Sequence, residues 1–103
     1  MKQVRWRLDY HNRKICGGWN GDGSLKAFSF PKEGLTEVSI EENTDDGPKQ
    51  IAKASGDDFD HFYWVRNGKI SGASKGENFV KCDVIGLELY TKDKIYSASI
   101  YGD

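Results

Sequence analysis

The chain of 103 residues contains only two cysteines and two prolines, and no run of apolar residues approaches the ~18 needed to cross a membrane as a helix. Cys16 and Cys82 are too few for a disulfide scaffold or for a zinc site of four nitrogen or sulfur ligands. We expect free thiols, with a Cys16 to Cys82 disulfide as the alternative in an oxidising compartment. Residues 1 to 10 show no apolar segment of a signal peptide, so we expect a cytoplasmic protein without membrane contact.

Several signatures of catalysis and cofactor binding are also missing. The glycines near residue 20 are not followed by the lysine of a phosphate-binding loop, and there is no GxSxG nucleophile motif. Asn20, Asp22 and Ser24 resemble the start of a calcium loop, but its twelfth position is Pro31 where calcium binding needs a glutamate. We therefore predict no cofactor, no metal site and no covalent catalysis.

What the sequence does contain is alternation of apolar and polar residues with the period of a β-strand. The first strand would carry Arg5, Arg7 and Asp9 on one face, and on the other Val4, Trp6, Leu8 and Tyr10. Clusters of Gly, Asn, Asp and Pro divide the chain into pieces of strand length, and only Pro48 to Ser55 leaves room for a helical turn. We predict one all-β domain over residues 1–103, a small antiparallel β-sandwich or barrel of about seven to eight strands built from hairpins.

One hairpin is predicted at Asn67-Gly68, because both central residues of a type I′ turn need positive φ and this dipeptide tolerates it. The turn would pair Arg66 with Lys69 and continue outward along both strands. The strand before the turn would then be short, and the chain would run back beside it as the second strand of the hairpin.

A second hairpin is predicted at the end of the chain, where one register makes every pair on one face apolar except for a tyrosine hydroxyl. A slip by one residue would mix the two faces, so the register is strongly specified. The predicted pairs are Tyr90 with Ile95, Leu89 with Tyr96, Leu87 with Ala98, and Ile85 with Ile100.

The segment DDFDHFYW, residues 57 to 64, has the densest mixture of acids, aromatic rings and histidine in the chain. Strict alternation would send Asp58 and Asp60 to one face and His61 to the other, together with Phe59 and Tyr63. The acids and the imidazole would then not converge on a metal or a substrate. We interpret the segment as the acidic entry to an aromatic strand, with a small metal-dependent hydrolase around these residues as an alternative. The other histidine, His11, is predicted to lie in a turn.

Charge is unevenly distributed along the chain. Residues 1 to 19 have five basic side chains and one aspartate, whereas residues 32 to 60 have nine acids and three lysines. A basic face that can bind a phosphate group or an acidic partner is predicted from Arg5, Arg7, Arg13 and Lys14. The alternative is that the two strand arginines only protect an exposed strand edge from pairing.

Thirteen aromatic residues exceed what so small a core must bury, so some rings should be exposed as in a protein interface or a sugar-binding platform. The tyrosines near Glu88, Ser97 and Ser99 are the strongest candidates because polar residues surround them. The predicted aromatic contact surface consists of Trp19, Trp64, Tyr90 and Tyr101.

Four segments carry a resemblance to a known group of proteins: WRLDYHNRK, VSIEE, DHFYWVRNGKISG and DVIGLELY. In this order they are similar to short uncharacterised proteins encoded by tailed bacteriophages and prophages. The chain departs from that group by its longer SGASKGENFVKC segment. The group has no established activity, so the resemblance implies a source in a phage or prophage and transfers no functional residue.

Together these features predict a non-enzymatic binding protein that acts in the cytoplasm of a bacterial host. If the phage origin holds, the sharper hypothesis is an inhibitor of a host defence factor, acting through charged and aromatic surface. The alternatives are a module for a sugar or a phosphate-bearing ligand, and the small hydrolase. A protein is the expected partner, while a nucleic acid or nucleotide and a homodimer remain open.

Overall fold

A computed structural model of the chain describes residues 3–17, 30–73 and 80–99. At Trp64, and over residues 66–73, 80–85 and 98–99, the description covers the backbone alone. These ranges contain no helix and form seven strands: β1 Val4–Tyr10, β2 Lys14–Gly17, β3 Leu35–Thr44, β4 Gly47–Ser55, β5 Phe59–Ala73, β6 Val80–Thr91 and β7 Ile95–Ser99.

The strands form two antiparallel sheets that face each other across the core. The first has the order β4-β3-β1-β2 and the second the order β5-β6-β7, and a pairing of Val4 with Val80 joins them. The all-β antiparallel fold predicted from the sequence is therefore confirmed. Its strand count lies at the lower end of the predicted range.

The apolar face of β1 lies in the centre of the core, as the alternation predicts. Its rings and aliphatic side chains pack against the second sheet, and the Trp6 and Phe62 rings stack with their centroids 6.3 Å apart. The Phe62 ring in turn packs against the Phe59 ring, and their centroids lie 4.8 Å apart. The buried apolar residues are Val4, Trp6, Leu8, Tyr10, Leu35, Val38, Ile40, Phe59, Phe62, Leu87 and Leu89.

The predicted hairpin at Asn67-Gly68 is wrong. Strand β5 runs through this dipeptide without turning, and Arg66 pairs with Val84 and Ile70 with Cys82 on β6. Two residues more of β5 than of β6 lie between these pairs, so the dipeptide is taken up by a bulge. Pairing along a long neighbouring strand has outweighed the local preference of Asn-Gly for a turn.

The last hairpin agrees with the sequence. Tyr90 pairs with Ile95, Leu89 with Tyr96 and Leu87 with Ala98, so the predicted register is confirmed; Ile100 lies outside the described residues. Another segment differs, because Pro48 to Ser55 belongs to strand β4 and has no helical turn. Its alanines, Ala52 and Ala54, alternate and pack against the core, so the segment has strand periodicity with small apolar residues.

Gly17 at the end of β2 is required by the core. It pairs with Trp6 across the ladder, and a Cβ atom at this position would overlap the indole ring.

We predict that Gly17→Ala lowers the free energy of unfolding by ~1 to 3 kcal/mol, the usual cost of adding a methyl group to a packed core. Urea denaturation of the variant measures this loss. Lys14→Ala, at the exposed end of the same strand, is the matched control and should change the free energy of unfolding by less than ~0.5 kcal/mol. Equal stability of the two variants would contradict the close packing of Gly17 against the Trp6 ring.

Candidate functional site

The outer face of the first sheet carries a network of buried ion pairs instead of an open basic surface. Arg5 and Glu41 are only 5% and 3% exposed, although they lie on the face of β1 and β3 that points away from the core. Arg5 Nε donates to Glu41 Oε1 at 2.9 Å, and Arg7 Nη1 donates to Glu41 Oε2 at 3.0 Å. Arg7 also forms an ion pair with Asp9, with Arg7 Nη2 lying 2.8 Å from Asp9 Oδ1. Two carboxylates, one of them shared, thus compensate the two guanidinium groups.

This network shifts the pKa of one of its own arginines. The hydrogen bond that Arg7 donates to Asp9 raises the pKa of Arg7 above its ordinary value. Burial opposes that shift, and the hydrogen bond that Arg7 donates to Glu41 adds to it. Nearby, burial raises the pKa of the Cys16 thiol. The charges of the two arginines on this face are therefore compensated by those of Asp9 and Glu41.

The four residues of the predicted basic face fall into two pairs in the structure. Arg5 and Arg7 already bind carboxylates, whereas Arg13 and Lys14 are exposed in and after the β1-β2 turn. The alternative in which the strand arginines protect a free edge is wrong, because β3 pairs with one edge of β1 and β2 with the other. Binding of a phosphate-bearing ligand by Arg13 and Lys14 stays a prediction.

An open cleft of about 580 Å³ lies beside the exposed pair. The Arg13 guanidinium lies over the Tyr10 ring at 4.8 Å, and the Tyr10 hydroxyl donates to the Pro31 carbonyl at 2.6 Å. Burial raises the pKa of Tyr10, so this hydroxyl keeps its proton and its bond. As predicted, His11 lies in the turn and is exposed. The cleft is lined by Tyr10, His11, Asn12, Arg13, Glu33 and Gly34.

The outer face of the second sheet is different, because it exposes aromatic and aliphatic surface. Tyr63 is 44% exposed and Ile95 is 51% exposed, and they are the large apolar side chains most open to solvent in the described residues. His61 stacks on Tyr90 with ring centroids 4.5 Å apart and planes at 10°. The strand register places these side chains beside one another on one face. We call His61, Tyr63, Glu88, Tyr90 and Ile95 the contact face.

Hydrogen bonds hold two rings of the contact face, those of His61 and Tyr90. Tyr90 donates its hydroxyl to Glu88 Oε1 at 3.1 Å, and this bond raises the pKa of Tyr90. His61 Nδ1 lies 2.7 Å from Asp60 Oδ2, so the imidazole is held between a carboxylate and a tyrosine ring. A face whose rings are already fixed loses little side-chain entropy when it binds a partner.

The contact between His61 and Asp60 corrects the prediction that these residues point apart. A bulge interrupts the ladder between Phe59 and His61, so strict alternation fails at Asp60. The same bulge turns Phe59 into the core, although alternation had placed it on the face of His61. Asp60 and His61 do meet, but the described side chains contain no group of three His, Cys, Asp or Glu residues arranged to hold a metal ion.

The predicted aromatic surface is only partly covered by the described residues. Tyr90 lies on the contact face, while Trp19, Tyr101 and the side chain of Trp64 lie outside the description. Sequence reasoning missed Tyr63 and Ile95 as members of this face. Tyr63 pairs with the outward-facing Glu88, so a correct register of β5 would have found it. The signal for Ile95 was already present in its predicted pairing with Tyr90, a residue assigned to the aromatic surface.

Comparisons of the chain with protein-family models, with curated proteins and with solved structures find no match. In the part of the chain that the structure describes, there is no helix of the length and apolar character needed to cross a membrane.

The buried network on the first sheet makes a testable prediction. Glu41→Ala would remove the carboxylate that the buried Arg5 shares with Arg7, while Arg7 keeps its pair with Asp9. We expect a loss of ~3 to 5 kcal/mol in the free energy of unfolding, the usual cost of breaking a buried ion pair. Chemical denaturation measures the loss. The double variant Arg5→Met/Glu41→Leu removes the buried charges together and should recover much of that stability, since apolar residues of similar size replace a buried ion pair at little cost. If the double variant were no more stable than Glu41→Ala, the loss of the compensating carboxylate would not explain the destabilisation.

Proposed function

We propose that this chain is a non-enzymatic accessory protein of a phage or prophage that binds and inhibits a host protein, such as a defence factor, in the bacterial cytoplasm. The observation that supports this proposal is the contact face: two large side chains, Tyr63 and Ile95, stay exposed around a stacked His61-Tyr90 pair on a regular sheet. Exposed aromatic residues on a rigid scaffold are the usual anchors of protein interfaces. The resemblance to phage-encoded proteins supports the proposed setting.

The chemistry of the contact face favours a protein over a small molecule. It is part of an open sheet surface, and binding of small ligands generally needs a concave site that encloses most of the ligand. A tyrosine ring offers apolar area together with a hydroxyl group, so it can bury surface and satisfy a polar group of the partner. Four of the five residues of the contact face also offer a polar atom beside that apolar surface.

The charges around the contact face favour a basic partner. Asp60 and Glu88 contact the stacked pair, and their only described polar contacts are with His61 and Tyr90. In the turn that precedes β5, Asp57 and Asp58 are exposed. Carboxylates that lack a lysine or arginine partner attract positively charged surface and repel negatively charged surface. The surface by which a nuclease binds nucleic acid has this positive character, which fits the inhibition of a defence nuclease.

The contact face can be tested by capture from a lysate of the bacterial host, followed by titration of the purified partner. We expect the double variant Tyr63→Ala/Ile95→Ala to bind that partner about 10- to 100-fold more weakly, because truncating an interface anchor costs at least ~1 kcal/mol. Calorimetry measures the dissociation constants. Since both side chains are exposed, the free energy of unfolding should change by less than ~1 kcal/mol.

The control is the double variant Lys49→Ala/Lys53→Ala, which alters two exposed residues of β4 on the other sheet. It should bind the partner as the unaltered chain does. The proposal would be abandoned if the lysate yielded no protein, or if the contact-face variant and the β4 variant bound with the same affinity.

A second candidate function is the binding of a phosphate-bearing ligand, and the cleft beside Arg13 favours it. The Arg13 guanidinium is held over the Tyr10 ring, and no carboxylate in the described residues pairs with it. His11 and Asn12 add exposed donors, while Glu33 can accept hydrogen bonds from hydroxyl groups of the same ligand. A sugar phosphate or a nucleotide has both kinds of group.

Inorganic phosphate is a suitable first probe of the cleft. We expect millimolar phosphate to shift the amide resonances of residues 10 to 13, and Arg13→Gln to weaken that binding about 10-fold because it removes the charge-assisted donors. Lys49→Gln, an exposed lysine elsewhere, is the control of equal charge change. Shifts of equal size in both variants would show that phosphate acts only through general ionic strength.

A further inference from the structure

The free edges of the two sheets are protected unequally. Strand β4 lies at one edge and carries Pro48, Lys49 and Lys53, which discourage pairing with another chain. The edge strand β5 is interrupted by register shifts along its length, and β2 has only four residues. Strand β7, with the sequence IYSAS, has no proline, glycine or charged residue, and its ladder with β6 is regular. It lacks the devices that protect the other edges.

The hydrogen-bond pattern shows which backbone groups of β7 point away from β6. Thr91 N donates to Lys94 O at 2.9 Å, which makes Thr91 and Lys94 a hydrogen-bonded pair. Such pairs alternate along an antiparallel ladder, so Tyr96 and Ala98 bond to β6, while Ile95, Ser97 and Ser99 direct their N–H and C=O groups outward. No other strand pairs with this edge in the described ranges, and Ile95 and Ser97 are exposed there.

We propose that two copies of this chain associate through β7, which pairs with the β7 of the second copy in antiparallel orientation about a two-fold axis at Ser97. Ser97 then faces the partner's Ser97, and Ile95 faces the partner's Ser99. Each of these hydrogen-bonded pairs exchanges two backbone hydrogen bonds. The two three-stranded sheets become one continuous sheet.

A second copy fits this edge for reasons of sequence and symmetry. Antiparallel pairing of β7 with itself brings no charged residue of one strand opposite a like charge of the other, because β7 has none. The arrangement sets Tyr96 beside the partner's Ala98, a large residue beside a small one. Since the axis repeats each contact, every favourable contact counts twice. The dimer also extends the contact face, because Ile95 belongs both to that face and to the edge.

Self-association through β7 holds whether or not the contact face binds a host protein, and sedimentation velocity on the isolated chain tests it. We expect a dimer that dissociates on dilution. Ser97→Pro removes the outward N–H and leaves the bonds to β6 in place, so it should weaken dimerisation at least about 10-fold. Ser97→Lys places two like charges at the axis and should have the same effect, while Ser97→Ala keeps the backbone groups and should remain dimeric.

Amide hydrogen exchange provides a second readout that depends on the pairing mode. At concentrations that favour the dimer, the amides of Ile95, Ser97 and Ser99 should become protected, whereas those of Tyr96 and Ala98 should be protected at every concentration. A chain that stays monomeric at about 1 mM would overturn the proposal. So would a dimer that Ser97→Pro and Ser97→Lys leave unchanged, or one in which the outward amides exchange freely.

Discussion

Glu41 holds β1 and β3 together, and the rest of the first sheet depends on this contact. Its carboxylate accepts hydrogen bonds from Arg5 and Arg7 on a face that is as inaccessible as parts of the core. If β1 slipped by one residue, both guanidinium groups would enter the apolar interior and Trp6 would leave it. The buried network therefore specifies the register that places Trp6 against Phe62 and so the packing of one sheet on the other.

The same network determines which charged side chains stay exposed to a partner. The sequence has its excess of positive charge near the N-terminus, but the structure neutralises Arg5 and Arg7 within the first sheet. Of the predicted basic face, Arg13 and Lys14 near the β1-β2 turn are the members that stay exposed. On the second sheet the carboxylates of Asp60 and Glu88 have no lysine or arginine partner among the described side chains, which is why we propose a basic partner for that face.

Much of the fold could be predicted because alternation and burial act together. In β1 and in the last hairpin, a slip would expose a complete apolar face, so local pattern and tertiary packing require the same register. Prediction failed where a local preference competed with longer pairing. Asn67-Gly68 favours a turn, but β6 offers partners on both sides of this dipeptide.

The candidate site was harder to predict for a related reason. Strict alternation separates Asp60 from His61, and one inserted residue at the bulge after Phe59 brings them into contact while turning Phe59 inward. A bulge changes the face of every residue on one side of it, yet it leaves no distinctive mark in the sequence. The exposure of Tyr63 follows from the same shift, because it fixes which rings of DDFDHFYW point outward. One irregularity in backbone pairing thus places the histidine of this segment between a carboxylate and the Tyr90 ring on the contact face.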